Sequence, residues 1–300
     1  MNFRNVVLCS VFLLLGAFGA QAQLNVLNAK TPEEIGQKTE AQIAYDNDEP
    51  LKYGYTDERD VLWSSTVWEI IDLDERVNFP LYYPIDTFNI GSERRSLYDV
   101  LVKGIQDGKI EHVYADSYFT EKRELGDLKA SLVYSDTTDV GIDQYNAEGF
   151  VDPQYIRKFN LDAGDIEEWH IRGIWYIDKR QGELKYRLLG LCPVANEARS
   201  KAFPDDNIDS KVELFWVWFP GARNVLHNAK AFNRENTSQP ISFDHLLNSR
   251  RFDALVYKED NEQGDRAVNE YINDNALMQL LESQRIREKI RNIEIDLWNY

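Results

Sequence analysis

The rhythm of apolar and polar positions changes several times along the chain. "VLWSSTVWEIIDL", Val61 to Leu73, is rich in β-branched and aromatic residues and predicts a strand. "VNFPLYYPID", Val77 to Asp86, has neither period. Its two prolines bar it from the middle of a helix or a central strand and predict an extended, rigid loop. Ser96 and Asp99 form a capping-box-like start. Leu97, Val100, Leu101 and Ile105 then recur at helical spacing, so a helix follows. "KIEHVYAD" reads as a strand. From Glu121 to Phe150 the pattern is polar and predicts an extended connection with one short strand around "ASLVYS".

The second half is more regular. Ile171, Trp175 and Ile177 alternate with His170, Arg172 and Asp178; beyond "DKRQGE", Leu184, Tyr186, Leu188 and Cys192 alternate likewise. Period two on both sides of a glycine-containing turn predicts a β-hairpin with one buried face. "VELFWVWFP", Val212 to Pro220, is apolar on both faces after Glu213 and predicts a central strand ended by Pro220. Trp175 and Trp216 are therefore expected in the core. "SFDHLL" and "LVYKED" then repeat, coarsely, the order of "SLYDVL" and "HVYAD". Val67-Trp68 and Val217-Trp218 open the two units, which read either as one strand–loop–helix–strand unit used twice or as chance likeness of aromatic-rich β segments.

The last stretch, from Asp265 to Tyr300, has no proline or glycine. Val268, Ile272, Leu277, Leu280 and Leu281 form one stripe. Ile286, Ile290, Ile293 and Leu297 continue it in a shifted phase. This predicts one long helix or two bent near Ser283, its stripe laid either on its own domain or on a neighbour.

These patterns define an α+β fold: two related β-rich halves in one compact unit, with an N-terminal arm and a long C-terminal helix. The expected divisions are a leader over 1–22, an arm over 23–57, halves over 58–150 and 151–264, and a helical tail over 265–300. The leader has Arg4, an apolar run from Val6 to Phe18 and an Ala20-Gln21-Ala22 cleavage site, the pattern of a secretory signal peptide. Cys9 precedes the Leu-rich run, against lipoprotein processing. Within the arm, Thr31-Pro32-Glu33-Glu34 starts a short helix running to about Ile43.

Composition narrows the classes. Sixteen tyrosines, 14 phenylalanines and 7 tryptophans suit sheets and interfaces. The net charge of −17 argues against sequence-independent nucleic-acid binding and against an anionic membrane surface. Cys192, in an apolar setting, is the one cysteine beyond the leader, so no internal disulfide is expected. His112, His170, His227 and His245 stand in no metal-ligand spacing, and no nucleophile-elbow or phosphate-loop motif occurs. Asp205, Asn207, Asp209 and Glu213 mimic part of a calcium loop but lack its glycine and its last glutamate, so a polar turn is the better account. No cofactor or metal is expected. Abundant acids leave a secreted hydrolase with paired carboxylates as the alternative class.

"DVLWSSTVWEIIDLDERVNFPLYYP", with the leader before it, the helix and "HVYAD" after it and the acidic repeat-like second half, resembles the gliding-motility protein GldN, or PorN, family of the Bacteroidetes type IX secretion system. "LYYP" is its most specific tetrapeptide. The resemblance implies a periplasmic, non-enzymatic ring or scaffold subunit associated with the outer membrane. Its implied partners are the outer-membrane lipoprotein GldK/PorK, neighbouring copies and the periplasmic part of the motor protein GldM/PorM. Within this frame, Pro80, Leu81, Tyr82, Tyr83 and Pro84 are candidate interface residues, either a strap on the chain's own sheet or a docking loop. Ile290, Ile293, Leu297 and Trp298 are the candidates in the tail.

Overall fold

The computed structural model describes residues 31, 48–86, 94–203, 211–236, 240–273 and 275–298. The leader, the helix expected after Thr31, and Asp205, Asn207 and Asp209 lie outside the described residues. Two compact units are present. In the smaller (Met1–Asp48, Asp86–Arg94, Phe232–Pro240), the Arg94 guanidinium lies 5.2 Å from the Phe232 ring centroid. The larger (Glu49–Ile85, Arg95–Ala231, Ile241–Tyr300) is α+β and holds every helix and strand of the described residues.

β1 (Val61–Asp72) leads to a single helical turn, α1 (Phe79–Tyr82), where an extended loop was expected. The prolines permit this, because Pro80 stands in the first turn, where its missing N–H is not needed. α2 (Leu97–Gln106) starts where Ser96 Oγ accepts a hydrogen bond from the Asp99 amide. Short strands β2 (Val113–Tyr114) and β3 (Lys122–Arg123) follow. The stretch 121–150 is not one extended connection. It holds α3 (Leu125–Leu132), the expected strand β4 (Val133–Thr137) and α4 (Asp139–Glu148). Both helices lack a strong apolar period, so pattern reading passed over them.

β5 (Ile156–Asn160) pairs with β4. The hairpin is β6 (Ile166–Asp178) and β7 (Glu183–Asn196). α5 (Ala198–Ala202) comes next. The expected strand from Val212 to Pro220 is interrupted: β8 (Lys211–Glu213) and β9 (Trp216–Trp218) flank Leu214 and Phe215, and Phe219-Pro220 already begin α6 (Phe219–Asn228). A small ladder, β10 (Lys230–Ala231) with β11 (Ile241–Ser242), precedes α7 (Phe243–Asn248), capped by Ser242 Oγ. β12 (Leu255–Glu259), α8 (Val268–Tyr271) and α9 (Ala276–Trp298) complete the chain. α9 runs without a break at Ser283.

The main sheet has the order β12-β1-β6-β7-β9-β2-β3, with β8 pairing β7. Strands of both halves are interleaved in it. The strand–helix–strand units β1-α2-β2 and β9-α7-β12 exchange their last strands: β2 pairs with β9, and β12 with β1. The β6–β7 hairpin lies between them, giving the sheet a pseudo-two-fold arrangement.

Strand register assigns two faces. Ile71, Trp169, Ile171, Leu188, Leu191 and Val217 point to the helix-covered face and pack there with α2, α6 and α7 in the main core. A second cluster on that face packs Val67 and Val256 against Val268, Ile286 and Ile290. Trp68, Cys192 and Trp216 are buried on the opposite face. A bulge at Arg172/Gly173 shifts β7 by one residue, so Leu188 and Cys192 face opposite sides although their spacing is even. Trp216 is fully buried, as expected, whereas Trp175 is only half-buried.

Candidate interaction surfaces

The segment after β1 is fixed by one buried asparagine. Asn78 Nδ2 donates to the carbonyls of Asp72 (2.7 Å) and Asp253 (3.1 Å), and its Oδ1 accepts from the Asp253 amide (2.9 Å). Leu81 is buried in the main core, and the Tyr82 hydroxyl donates to the Gly164 carbonyl at 3.0 Å. Pro80 and Pro84 are half-buried. Tyr83 stays outside, 48% exposed, with its ring edge-on to Phe79 and to Tyr82. Val77, Phe79 and Ile85 are exposed beside it. Leu81 and Tyr82 therefore serve as the strap, while Tyr83 and its apolar neighbours face solvent.

Residues 49–57, expected within a loose arm, belong to the larger unit and are tied to its helices and sheet. Arg223 and Asp244 form a buried bidentate pair at 2.7 and 3.0 Å. The same guanidinium donates to the Leu51 carbonyl at 2.6 Å, and Arg187 donates to that of Gly54 at 3.2 Å. The Tyr53 ring lies 4.1 Å from Arg223 and 4.6 Å from Arg187, and its hydroxyl reaches Asn248. Burial raises the Tyr53 pKa.

On the sheet face opposite the main core, the turn after β2 lays an aromatic plug. Asp116 carboxylate oxygens accept from the amides of Tyr118, Thr120 and Glu121. This holds Phe119 at φ +62°, an uncommon conformation for a bulky residue. Its ring meets Trp218 at 4.8 Å and Tyr114 at 5.3 Å, and occupies the space above Gly190. Arg172 stacks 5.0 Å from both Trp68 and Tyr118, and its Nη1 donates to the Ser117 carbonyl. Lys258 lies 4.4 Å from Trp68 and donates to the Tyr118 hydroxyl, which itself donates to Asp265. Burial and the Asp265 carboxylate push the Tyr118 pKa up to about 12. Burial and the neighbouring Asp265 raise Asp260; Asp265, despite burial, is held low by hydrogen bonds from Tyr118 and the Asn261 amide. Sequence reading missed this cluster. Its local signal was the Asp-Ser-Tyr-Phe-Thr turn chemistry, with no periodicity to draw attention.

Beside it, His170 lies between two carboxylates, with Nδ1 2.8 Å from Glu213 and Nε2 3.7 Å from Glu168. Burial pushes His170 down, but the two carboxylates more than offset it and hold its pKa above the ordinary value. Hydrogen bonding to His170 and Lys211 holds Glu168 down at about 2. Glu213 also accepts from the Trp216 indole at 2.7 Å, so this member of the calcium-like run is already engaged. Among the described residues, no group of His, Cys, Asp and Glu is arranged to hold a metal ion.

In the tail, Ile290 is buried with Ile286 against Val67, Val256 and Val268. Ile293 is half-buried, Leu297 is exposed, and the Trp298 side chain lies outside the described residues. The expected stripe holds at Val268 and Ile272 but not at the start of α9, where Leu277, Leu280 and Leu281 are all exposed.

The fold thus defines an α+β protein of fixed straps, an aromatic-plugged sheet face and exposed apolar patches. The family model described as gliding motility associated protein GldN matches residues 56–299, most of the chain, and the chain belongs to that family. It is a component of the gliding-motility and type IX secretion machinery. No curated protein matches it. No helix among the described residues is long and apolar enough to cross a membrane.

Proposed function

We propose that this chain is a non-enzymatic scaffold subunit of the type IX secretion machinery, held in the periplasm and assembled in a ring with neighbouring copies on an outer-membrane lipoprotein of the GldK/PorK type. The periplasmic part of GldM/PorM is its further partner in this reading. The observation that carries it is the exposed patch of Val77, Phe79, Tyr83 and Ile85, mounted on a segment that Asn78, Leu81 and Tyr82 fix to the core. An apolar surface held this rigidly loses little entropy on docking. A hydrolase has less support. Burial and Asp265 raise the pKa of the neighbouring Asp260, but the Asp265 carboxylate is already engaged by the Tyr118 hydroxyl and the Asn261 amide.

The test is the native mass of the complex purified through this chain together with its lipoprotein. The double variant Tyr83→Asp, Ile85→Asp should fold with unchanged melting and recover little lipoprotein and no high-mass complex. Full-sized complexes from the folded variant would overturn the assignment of this patch.

A further inference from the structure

We infer that α4 of one copy docks into the groove between α9 and the sheet of the next copy, a head-to-tail contact between two different surfaces. The one buried residue of α4 is Gly141. Polar bonds hold the helix in place. The Thr138 amide and hydroxyl donate to the Tyr155 carbonyl at 3.0 and 3.2 Å, and Gln144 Oε1 accepts from the Asp152 amide at 3.1 Å. The apolar side chains stay outside: Ile142 is 48% exposed and Tyr145 59%. At three-residue spacing they share one side of the helix. Asp139 and Asp143, one turn apart, are exposed beside them.

The groove is complementary. Trp175, Leu184 and Phe252 line it, each half-buried. Arg287 and Arg291, also one turn apart and exposed, form its α9 rim. Neither makes an ion pair among the described residues. The deeper charges are already answered: Glu69 binds Arg250 at 2.7 and 2.8 Å, and Asp253 accepts from the Ala254 amide at 2.9 Å. Glu294 stands at the far end of the rim. The groove therefore offers an apolar floor and a pair of guanidiniums.

Charge and position select a second copy as the occupant. Positions 130–156 hold five carboxylates and no Lys or Arg, in a chain of net charge −17, so most of this chain's surface repels α4. At the groove, Asp139 and Asp143 meet Arg287 and Arg291, each pair about 6 Å apart along its helix. Ile142 and Tyr145 then enter the apolar floor, and tyrosine suits a site that is part apolar and part wet. On one copy the two surfaces are far apart. α4 joins the main sheet through β5 at the start of β6, and Trp175 lies nine residues along that strand, about 30 Å on at ~3.3 Å per residue. A neighbour must supply the match. Because the surfaces differ, the contact propagates around a ring. It rests on the reading that neighbouring copies assemble, and adds which faces meet.

A charge exchange tests the contact, read as the mass of the complex recovered with the lipoprotein. Asp139→Arg with Asp143→Arg should abolish the high-mass complex, and so should Arg287→Asp with Arg291→Asp. Both variants should still recover the lipoprotein. Mixed together, the two variants should restore high-mass complexes, because each reversed surface then finds its opposite on the other. Ile142→Ser with Tyr145→Ser, a change confined to exposed side chains, should lose assembly with unchanged melting. High-mass complexes from either charge variant alone, or none from their mixture, would overturn the proposal. The latter result is also the one expected if a foreign protein, rather than a second copy, meets either surface. Absence of any high-mass complex from the unaltered chain would remove the ring reading and this contact with it.

Discussion

His170 shows how far one side chain's role depends on its neighbours. Glu168 and Glu213 hold its pKa above the ordinary histidine value. A group raised in the folded state contributes stability that is complete below its unfolded pKa and is lost as pH rises through the folded one. Glu168 and Glu213 are shifted down, so their contribution is present above the ordinary glutamate range and fades only on acidification, for Glu168 toward about 2. The stability difference between the protein and His170→Gln should therefore be largest near pH 6 and shrink as the pH rises above the ordinary histidine range. Thermal unfolding of both proteins across that range checks it, and a constant difference would show that the carboxylates do not act through the imidazolium.

At the scale of elements, the plug over β7 is held by mutual exclusion of volume. A Cβ added at Gly190 would lie 2.3 Å from Phe119 Cζ and 3.2 Å from the Val217 carbonyl. The ring is the movable partner, because the turn that carries it is anchored mainly by Asp116. Gly190→Ala should cost about 1–3 kcal/mol, as overpacking does. It should also speed hydrogen exchange at the Tyr118, Thr120 and Glu121 amides. Phe119→Ala in the same chain should recover part of that loss, since the added methyl then enters vacated space. Strictly additive penalties in denaturant unfolding would mean the two residues do not compete.

At the scale of the whole molecule, the C-terminal helix joins two roles. Ile286 and Ile290 complete the cluster of Val67, Val256 and Val268, while Leu277 and Ile295 face outward. Deleting 286–300 should therefore lower the melting temperature sharply, because each buried isoleucine removed costs about 2–5 kcal/mol. Point changes on the outer face should leave melting unchanged. Normal melting of the truncated chain would show that α9 is dispensable to the fold. Assembly is thus better probed by exposed substitutions than by truncation.

Several features follow from sequence alone because their causes are local. Ser96 and Ser242 start helices by accepting backbone amides three residues on. The hairpin's alternation and the apolar run at Trp216 place both in the sheet. The "LYYP" stretch points to the family that the match over 56–299 establishes. Other features have no local signal. That Leu81 turns inward and Tyr83 outward is set by Asn78 bonding to Asp253, 175 residues away. The bulge at Arg172/Gly173 moves Leu188 and Cys192 to opposite faces, and only pairing in the sheet reveals it. The exchange of β2 and β12 between the halves likewise exists only once distant strands meet. The apolar stripe of α9 divides between core and solvent according to what lies beneath each turn, and a stripe does not specify its partner.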